Sequence, residues 1–522
     1  MSAVSATRAA TPTIVVPAIE RGPLWTALPL DGILAAVGMA IAAWIRWSGL
    51  YRQSLWVDEM SSYGLAQQGL RHIIPNILAV DGHPPLYIFI VHVFHFNLGL
   101  GTVDSVRLPS LLAGVATVGV VYALARILVG RIAAIVATAL AIVTPILVWY
   151  SREGRMYALT WFLVMLSFLL LAQAVRSGRW VWLLPYTGSV SLALYADISA
   201  VMALVPQGAM IGWFFWRNRS EARARWRGVG TAYAAGWVLF VPWLVVLPQQ
   251  LHYLHGTFTG YAPSLATAWR LVLNFTGLEA TYAYIFQPGL PVVLAAITLL
   301  AFAVALVSAL WLGRDHSLFR GVVSSLTFGP VLMCVLFIAV GSAGVLLPRV
   351  LGLISFGLIL AAGGAAELAW RPRAAPRALH LAAVTAVLVV LSSTALSFAN
   401  VEAHGYNSQN WRTVATTLAE RAQPGDAVIY YPLGLKIMVD AYLPPGSPWI
   451  RDGVGIWQAP DSVAQSYFAT WAQGHPHVWF VFYGAGAVDA PIHDAWFLAS
   501  GYRRVAGHPT AGYGVLEYEP AS

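Results

Sequence analysis

This chain has almost no cysteine, almost no lysine and very little charge. Cys334, inside an apolar run, is its single cysteine, so no disulfide can form within the chain. Lys436 is the single lysine, and the other basic groups are arginines. That bias reflects genome composition and says little about mechanism. Charged residues are only 10% of 522, hydrophobic residues are 58%, and the mean hydropathy is +0.68. A soluble protein of this size needs far more charge to cover its surface, so that class is excluded. The net charge of +8 would otherwise point to nucleic acid. The arginines, however, fall in short loops between apolar runs, as the positive-inside rule requires, and no nucleic-acid partner is expected.

What is present is a series of apolar runs of about 20 residues, the length that crosses a roughly 30 Å hydrocarbon core. The expected fold is an α-helical polytopic membrane protein with about eleven transmembrane helices. They fall near 30–50, 107–126, 131–150, 156–175, 180–196, 199–216, 229–247, 290–312, 322–343, 350–369 and 379–397. Residues 1–28 form a polar tail without the short apolar core of a signal peptide, and the reading is a cytoplasmic tail. The domain 29–399 carries a first outer loop, 50–106, and a long outer loop, 248–289, that could cap a site. Arginine-rich loops at Arg217–Arg227, Arg314–Arg320 and Arg371–Arg377 mark the cytoplasmic side. Pro84 to Leu98 is too short for a span and reads as an interfacial or re-entrant helix. Residues 400–522 change composition and predict a small extracytoplasmic α/β domain. A helix is expected over Gln409–Ala422, with strands over Ala427–Tyr431, Val478–Tyr483 and Tyr513–Tyr518.

With that topology the acids Asp58, Glu59, Asp81, Asp104, Glu153, Asp197 and Glu279 lie outside. Asp58-Glu59, in SLWVDEM just beyond the first span, is the most informative pair. Two adjacent carboxylates at a membrane surface cost solvation energy unless something uses them; the plainer reading is a helix start, since acids favour a first turn. His83-Pro84-Pro85 follows. Its prolines make a rigid helix entry, and His83 is a candidate for binding phosphate or acceptor. YSREGRMY concentrates Arg152, Glu153 and Arg155 in a tight outer loop, where arginines run against the orientation bias. They read as substrate-binding groups or as a structural ion network. Arg349, in LLPRVL, suits a lipid phosphate, although headgroup snorkelling explains it too. Arg107 and Asp104 read as interfacial anchors.

Together SLWVDE, DGHPPLYIFIVH, DSVRLPSLLAGVATVGVVYALARILVGR and YSREGRMYAL resemble, in order and spacing, the GT-C glycosyltransferases of the family 39 type. The group includes protein O-mannosyltransferases and the aminoarabinose transferase of lipid A. The likeness is close over residues 45–180 and loose to about 400. SQNWRTVATTLAERAQPGDAVIYY, from Ser408, looks like the outer domain of many bacterial members. The resemblance implies a GT-C bundle, a polyprenyl-phosphate-sugar donor and inversion at the anomeric carbon, with Asp58 as base. An acceptor hydroxyl needs a carboxylate within hydrogen-bond reach. A phosphate leaving group needs positive charge more than a proton donor. Asp58 is therefore assigned as base and Glu59 as its orienting or charge-tuning partner. His83, Arg152, Glu153, Arg155 and Arg349 are assigned to the donor phosphate or substrate. The first loop lacks an Asp-x-Asp pair, so neither a catalytic metal nor another cofactor is expected. Where many relatives have Arg-Tyr before a late span, this chain reads Pro348-Arg349-Val350, and only the arginine carries over.

The expected activity is transfer of one sugar at the outer face of the cell membrane. Family frequency favours mannose, then arabinofuranose; the acceptor is an envelope glycan, glycolipid or protein. The rivals are a lipid or sugar transporter or flippase, an O-antigen-ligase-like enzyme, and a noncatalytic glycan-binding scaffold. A transporter would place ionisable groups near mid-bilayer in related halves, and no such repeat is evident.

Overall fold

The computed structural model describes residues 29–218, 221–248, 263–275, 290–339, 347–371, 373–404, 410–444, 447, 450, 453–455, 461–483, 491–510 and 513–521. The expected tail 1–28 and most of the loop 248–289, Glu279 included, lie outside these residues.

In chain order the membrane portion comprises α1 (Pro29–Ser48), the short helices α2 (Val57–Ala66), α3 (Leu70–Val80) and α4 (Leu86–His92), then α5 (Thr102–Leu128), α6 (Arg131–Val143), α7 (Pro145–Arg152) and α8 (Tyr157–Ser177). It continues with α9 (Leu183–Ala196), α10 (Val201–Arg217), α11 (Glu221–Leu244), α12 (Leu265–Phe275), α13 (Leu290–Leu312), α14 (Ser317–Ala339), α15 (Pro348–Leu351), α16 (Leu353–Trp370) and α17 (Arg377–His404). Among the described residues, 8 helices are long and apolar enough to cross a membrane, or up to 9 if α6 and α7 form one bent span. The expected eleven is reached only by also counting α9, which has 14 residues, and α11, which opens with Glu221, Arg223, Arg225 and Arg227. The apolar helix Leu86–Asn97 is too short for a crossing, at about 1.5 Å per residue.

Helix position in the bundle follows composition. α16 is apolar all round and rich in Ala and Gly, and 83% of its span is buried. For α1 the share is only 22%, and Ile33, Val37, Ile41 and Trp44 form an exposed stripe suited to lipid. α6 and α7 meet at 55° because Pro145 has no N–H to close the ladder. The freed carbonyls are satisfied from outside the helix. Arg46 of α1, 1% exposed, donates to Ala141 O at 3.2 Å, to Ile142 O at 3.3 Å and to Ser151 Oγ at 3.1 Å.

The chain ends in an α/β unit: α18 (Trp411–Arg421), β1 (Ala427–Tyr431), α19 (Leu435–Asp440), β2 (Val454–Gly455), α20 (Asp461–Ala472), β3 (Val478–Tyr483), α21 (Pro491–Ala499), β4 (Tyr502–Thr510) and β5 (Tyr513–Pro520). The sheet order is β2-β1-β3-β5-β4. β1 runs parallel to β2 and β3, and β5 runs antiparallel to β3 and β4. β4 was not read from sequence because YRRVAGHPT has no apolar alternation; it is an edge strand with an irregular register at Arg504–Ala506. This unit clasps the chain just before α2. Leu55 N donates to Tyr442 Oη at 2.7 Å, Trp411 N to Ser54 Oγ at 2.9 Å and Arg412 Nη2 to Tyr51 O at 2.8 Å. Met60 packs into the same apolar cluster as Trp411 and Val428.

Candidate active site

The site forms at the end of the bundle where α2, the α7–α8 turn and α15 meet. α2 begins after Trp56, whose N–H donates to Glu59 Oε2 at 3.2 Å, so an acid three residues into the helix caps its own start. Glu59 is 1% exposed and meets Arg107, 3% exposed, in a two-pronged pair. Arg107 Nε donates to Oε1 and Nη2 to Oε2, each at 2.7 Å. The same guanidinium donates to the carbonyls of Leu50, Gln53 and Ser54, while Gly154 N donates to Glu59 Oε1 at 2.6 Å. Only glycine fits at 154, since a Cβ there would stand 2.8 Å from Val106 Cβ and 3.1 Å from Glu59 Oε1. Glu59 therefore locks the first loop to α5 and to the α7–α8 turn, and its lone pairs are occupied.

Asp58 is placed differently. Its side chain keeps 32% of its exposure, and Oδ2 accepts from Arg349 Nη1 at 3.3 Å. The Arg349 guanidinium lies 5.6 Å from the centre of the Tyr157 ring. Beneath Asp58, the buried Arg155 donates from Nη1 to Asp58 O at 3.1 Å and to Ser62 Oγ at 2.9 Å. His83 joins the group through Asp81, which is 7% exposed. Asp81 Oδ1 accepts from His83 N at 3.0 Å and lies 2.5 Å from His83 Nδ1. That pairing sets the tautomer with the proton on Nδ1. Arg155 Nη2, 3.4 Å from the same nitrogen, then contributes charge rather than a hydrogen bond. Burial alone would push the Asp81 carboxyl up, but His83 and Arg155 outweigh it and hold it at about 2.

Glu153 is 5% exposed, and its Oε1 has no hydrogen-bond partner. Burial, with the negative charges of Glu59 and Asp58 nearby, pushes its carboxyl up to about 8 against the pull of Arg349 and Arg155. At neutral pH it carries its proton.

Asp58, His83, Glu153, Arg155 and Arg349 thus share one neighbourhood. Two expected residues play other parts. Glu59 is a buried clamp that does not orient Asp58 by direct contact. Arg152 is turned away from Asp58: its Nη1 donates to Glu402 Oε1 at 2.5 Å, its Nη2 to Ile45 O at 2.5 Å and its Nε to Arg46 O at 3.2 Å. It seals the end of α1 against α17, because carbonyls at a helix C-terminus demand donors. Sequence reasoning missed Asp81, whose signal was its spacing two residues before His83. It also set Arg107 aside as an anchor, and an arginine one turn after an acid at a helix start gives no hint of a partner 48 residues upstream. No group of three or more His, Cys, Asp or Glu placed to hold a metal occurs among the described residues.

Residues 82–246 match the family model for dolichyl-phosphate-mannose-protein mannosyltransferase. Two Bacillus subtilis proteins with provisional mannosyltransferase names are similar: YycA, 31% identical over 132 residues, and YkcB, 40% identical over 80. These alignments take in 25% and 15% of this chain and span only 19% and 11% of the relatives' lengths. Among solved structures, ArnT from Cupriavidus metallidurans superimposes with a TM-score of 0.54 at 12% identity, covering 94% of this chain and 98% of that one. AglB, an oligosaccharyltransferase from Archaeoglobus fulgidus in complex with an inhibitory peptide and a dolichol-phosphate, gives 0.52 at 12% identity over 93% and 74%. The same ArnT bound to undecaprenyl phosphate gives 0.51 at 13% identity over 94% and 98%. At such identities the likeness is one of fold. The chain is a multi-pass membrane protein with the GT-C fold and a small C-terminal sheet domain.

Proposed function

We propose that this protein is an inverting glycosyltransferase that moves one sugar from a polyprenyl-phosphate carrier to an acceptor at the membrane surface. Asp58 takes the proton of an acceptor hydroxyl as its oxygen attacks the anomeric carbon. The bond from that carbon to the phosphate oxygen breaks, and the carrier phosphate leaves with the electron pair. Arg349 and Arg155 receive the charge it gains. His83, held by Asp81, lines the same site. The observation that carries this reading is the pairing of a partly exposed Asp58 with Arg349, backed by buried Arg155. A carboxylate facing cations is the arrangement that base-assisted departure of a phosphate requires. The solved neighbours with undecaprenyl phosphate and dolichol-phosphate support a lipid-linked donor. The family description favours mannose; arabinofuranose is the second choice, and the acceptor proposed is an envelope glycan, glycolipid or protein. This reading calls for no metal: among the described residues the acids around Asp58 are Glu59, committed to Arg107, Asp81, paired with His83, and Glu153, whose carboxyl burial pushes up.

The arginine-rich loops sit at the end of the bundle away from Asp58. By the positive-inside rule this turns the site and the C-terminal domain outward and the amino terminus to the cytoplasm of a plasma membrane. Gln68→Cys, an exposed position near the site, then reacts with an impermeant maleimide added to whole cells; labelling only after lysis would overturn this orientation. The chemical test restores a strain lacking the protein with wild type or with Asp58→Asn. The variant inserts but leaves the envelope glycan incomplete and lipid-linked sugar accumulated. Normal glycan would remove Asp58 as base.

A further inference from the structure

A roomy cleft lies far from Asp58. It runs between α10 and α14 and holds about 900 Å³. Pro206, Met210, Phe214, Leu332 and Leu336 make its walls apolar. The two helices touch closely at Gly321 and Gly329, where an added Cβ would stand 2.8 Å from Met210 Sδ and 2.4 Å from Pro206 Cγ. The cleft opens beside that contact.

Its mouth is charged at one end only. Arg217 ends α10, Arg314 follows α13 and Arg320 begins α14, with Asp315 among them. All four are exposed, and none of the three arginines forms a salt bridge among the described residues. Arg314 lies 3.7 Å from the centre of the Trp311 ring and Arg217 lies 6.0 Å from that of Trp213, so interfacial aromatics hold both at headgroup level. Three cations against one anion leave an excess of positive charge at the lip of an apolar slot. Basic pockets between spanning helices at the arginine-rich side of a membrane suit phosphate headgroups.

We propose that this cleft binds one anionic phospholipid, with its phosphate between Arg217, Arg314 and Arg320 and an acyl chain along the α10–α14 slot. It is separate from the donor site. Asp58 lies where α8 begins and the arginines lie at the other end of the bundle, about a 21-residue helix away, or roughly 30 Å. A phosphate held there cannot reach Asp58.

The test uses the full chain reconstituted in vesicles of equal phosphatidylglycerol and phosphatidylcholine, then released for native mass spectrometry. One phosphatidylglycerol stays bound and phosphatidylcholine does not. The combined variant R217Q/R314Q/R320Q loses about a hundredfold of that retention, the three arginines together being worth ~3 kcal/mol towards an anionic lipid. Ser324→Phe, which fills the slot and leaves the arginines in place, loses it as well, so a poorly inserted arginine variant does not end the test. Equal retention of the two lipids, unchanged retention in Ser324→Phe, or displacement of phosphatidylglycerol by added undecaprenyl phosphate would overturn the proposal.

Discussion

The two ends of the bundle both pair carboxylates with arginines, and they do so to opposite effect. At the arginine-rich end, Asp31 is saturated. Tyr122 donates to it at 2.8 Å, Arg126 at 3.2 Å, and Arg131 through two nitrogens at 2.9 and 3.2 Å. At the other end the Asp58 carboxylate has, among the described residues, one long contact, 3.3 Å, from Arg349. The cations beside it, half-buried Arg349 and buried Arg155, leave its acceptor sites unfilled. A carboxylate with every lone pair occupied fixes helices. One with open lone pairs beside desolvated cations can take a proton and release charge to a leaving group. The same contrast separates adjacent residues, since Glu59 is saturated like Asp31 while Asp58 is not.

The contrast breaks most sharply at Asp58. Asp58→Asn keeps the shape and removes the proposed base, so transfer should fall by about 10²–10⁴-fold while thermal unfolding of the detergent-solubilised protein is little changed. Arg107→Ala inverts the result. It strands Glu59 as a buried unpaired charge, which costs about 3–5 kcal/mol, and it frees the loop that carries Asp58. The expected outcome is lost folding yield and a lowered unfolding midpoint. An Arg107→Ala protein as stable as wild type would show that Glu59 is not the clamp its contacts describe.

Much of this layout was legible in the chain. The long apolar helices, the short apolar helix Leu86–Asn97 and three of the five strands among the described residues follow from apolar length and alternation, because burial acts on runs of residues. The grouping of Asp58, His83, Arg155 and Arg349 was legible as motifs without their geometry. Which acid is open was not. Asp58 and Glu59 differ by one step of a helix, and only the fold decides which faces Arg107 from α5 and which faces Arg349. Arg152 misled for the same reason. A charged residue in a tight loop announces a partner, and nothing local says that the partner is Glu402 and the end of α1.

Glu153 offers a third state of an acid at this end, neither saturated nor open but protonated. Its ordinary value is near 4.5 and the fold raises it to about 8. Between those values the folded protein holds a proton that the unfolded chain has released. The stability tied to the neutral carboxyl is therefore complete below about pH 4.5 and is lost as pH climbs through about 8. Glu153→Gln mimics the neutral acid, so its unfolding midpoint should fall less than that of wild type between pH 6 and pH 9. Parallel pH profiles would show that Glu153 is ionised in the fold.

The smallest effect belongs to Asp31. Asp31→Asn keeps an acceptor for Tyr122 and Arg131 but removes the charge opposite two arginines whose side chains are 23% and 33% exposed. Water and lipid headgroups can solvate those guanidiniums, so the loss should be about 1 kcal/mol, far below that of Arg107→Ala. Transfer should be unchanged, since Asp31 sits a bundle length from Asp58. Measured side by side, Asp31→Asn and Asp58→Asn make the comparison quantitative: one chemical change lowers stability without activity at one end and activity without stability at the other. If Asp31→Asn also stopped transfer, the two ends would be coupled through α1, whose Arg46 braces the α6–α7 bend and whose last carbonyls are held by Arg152. The bend, rather than Asp58 alone, would then set the site.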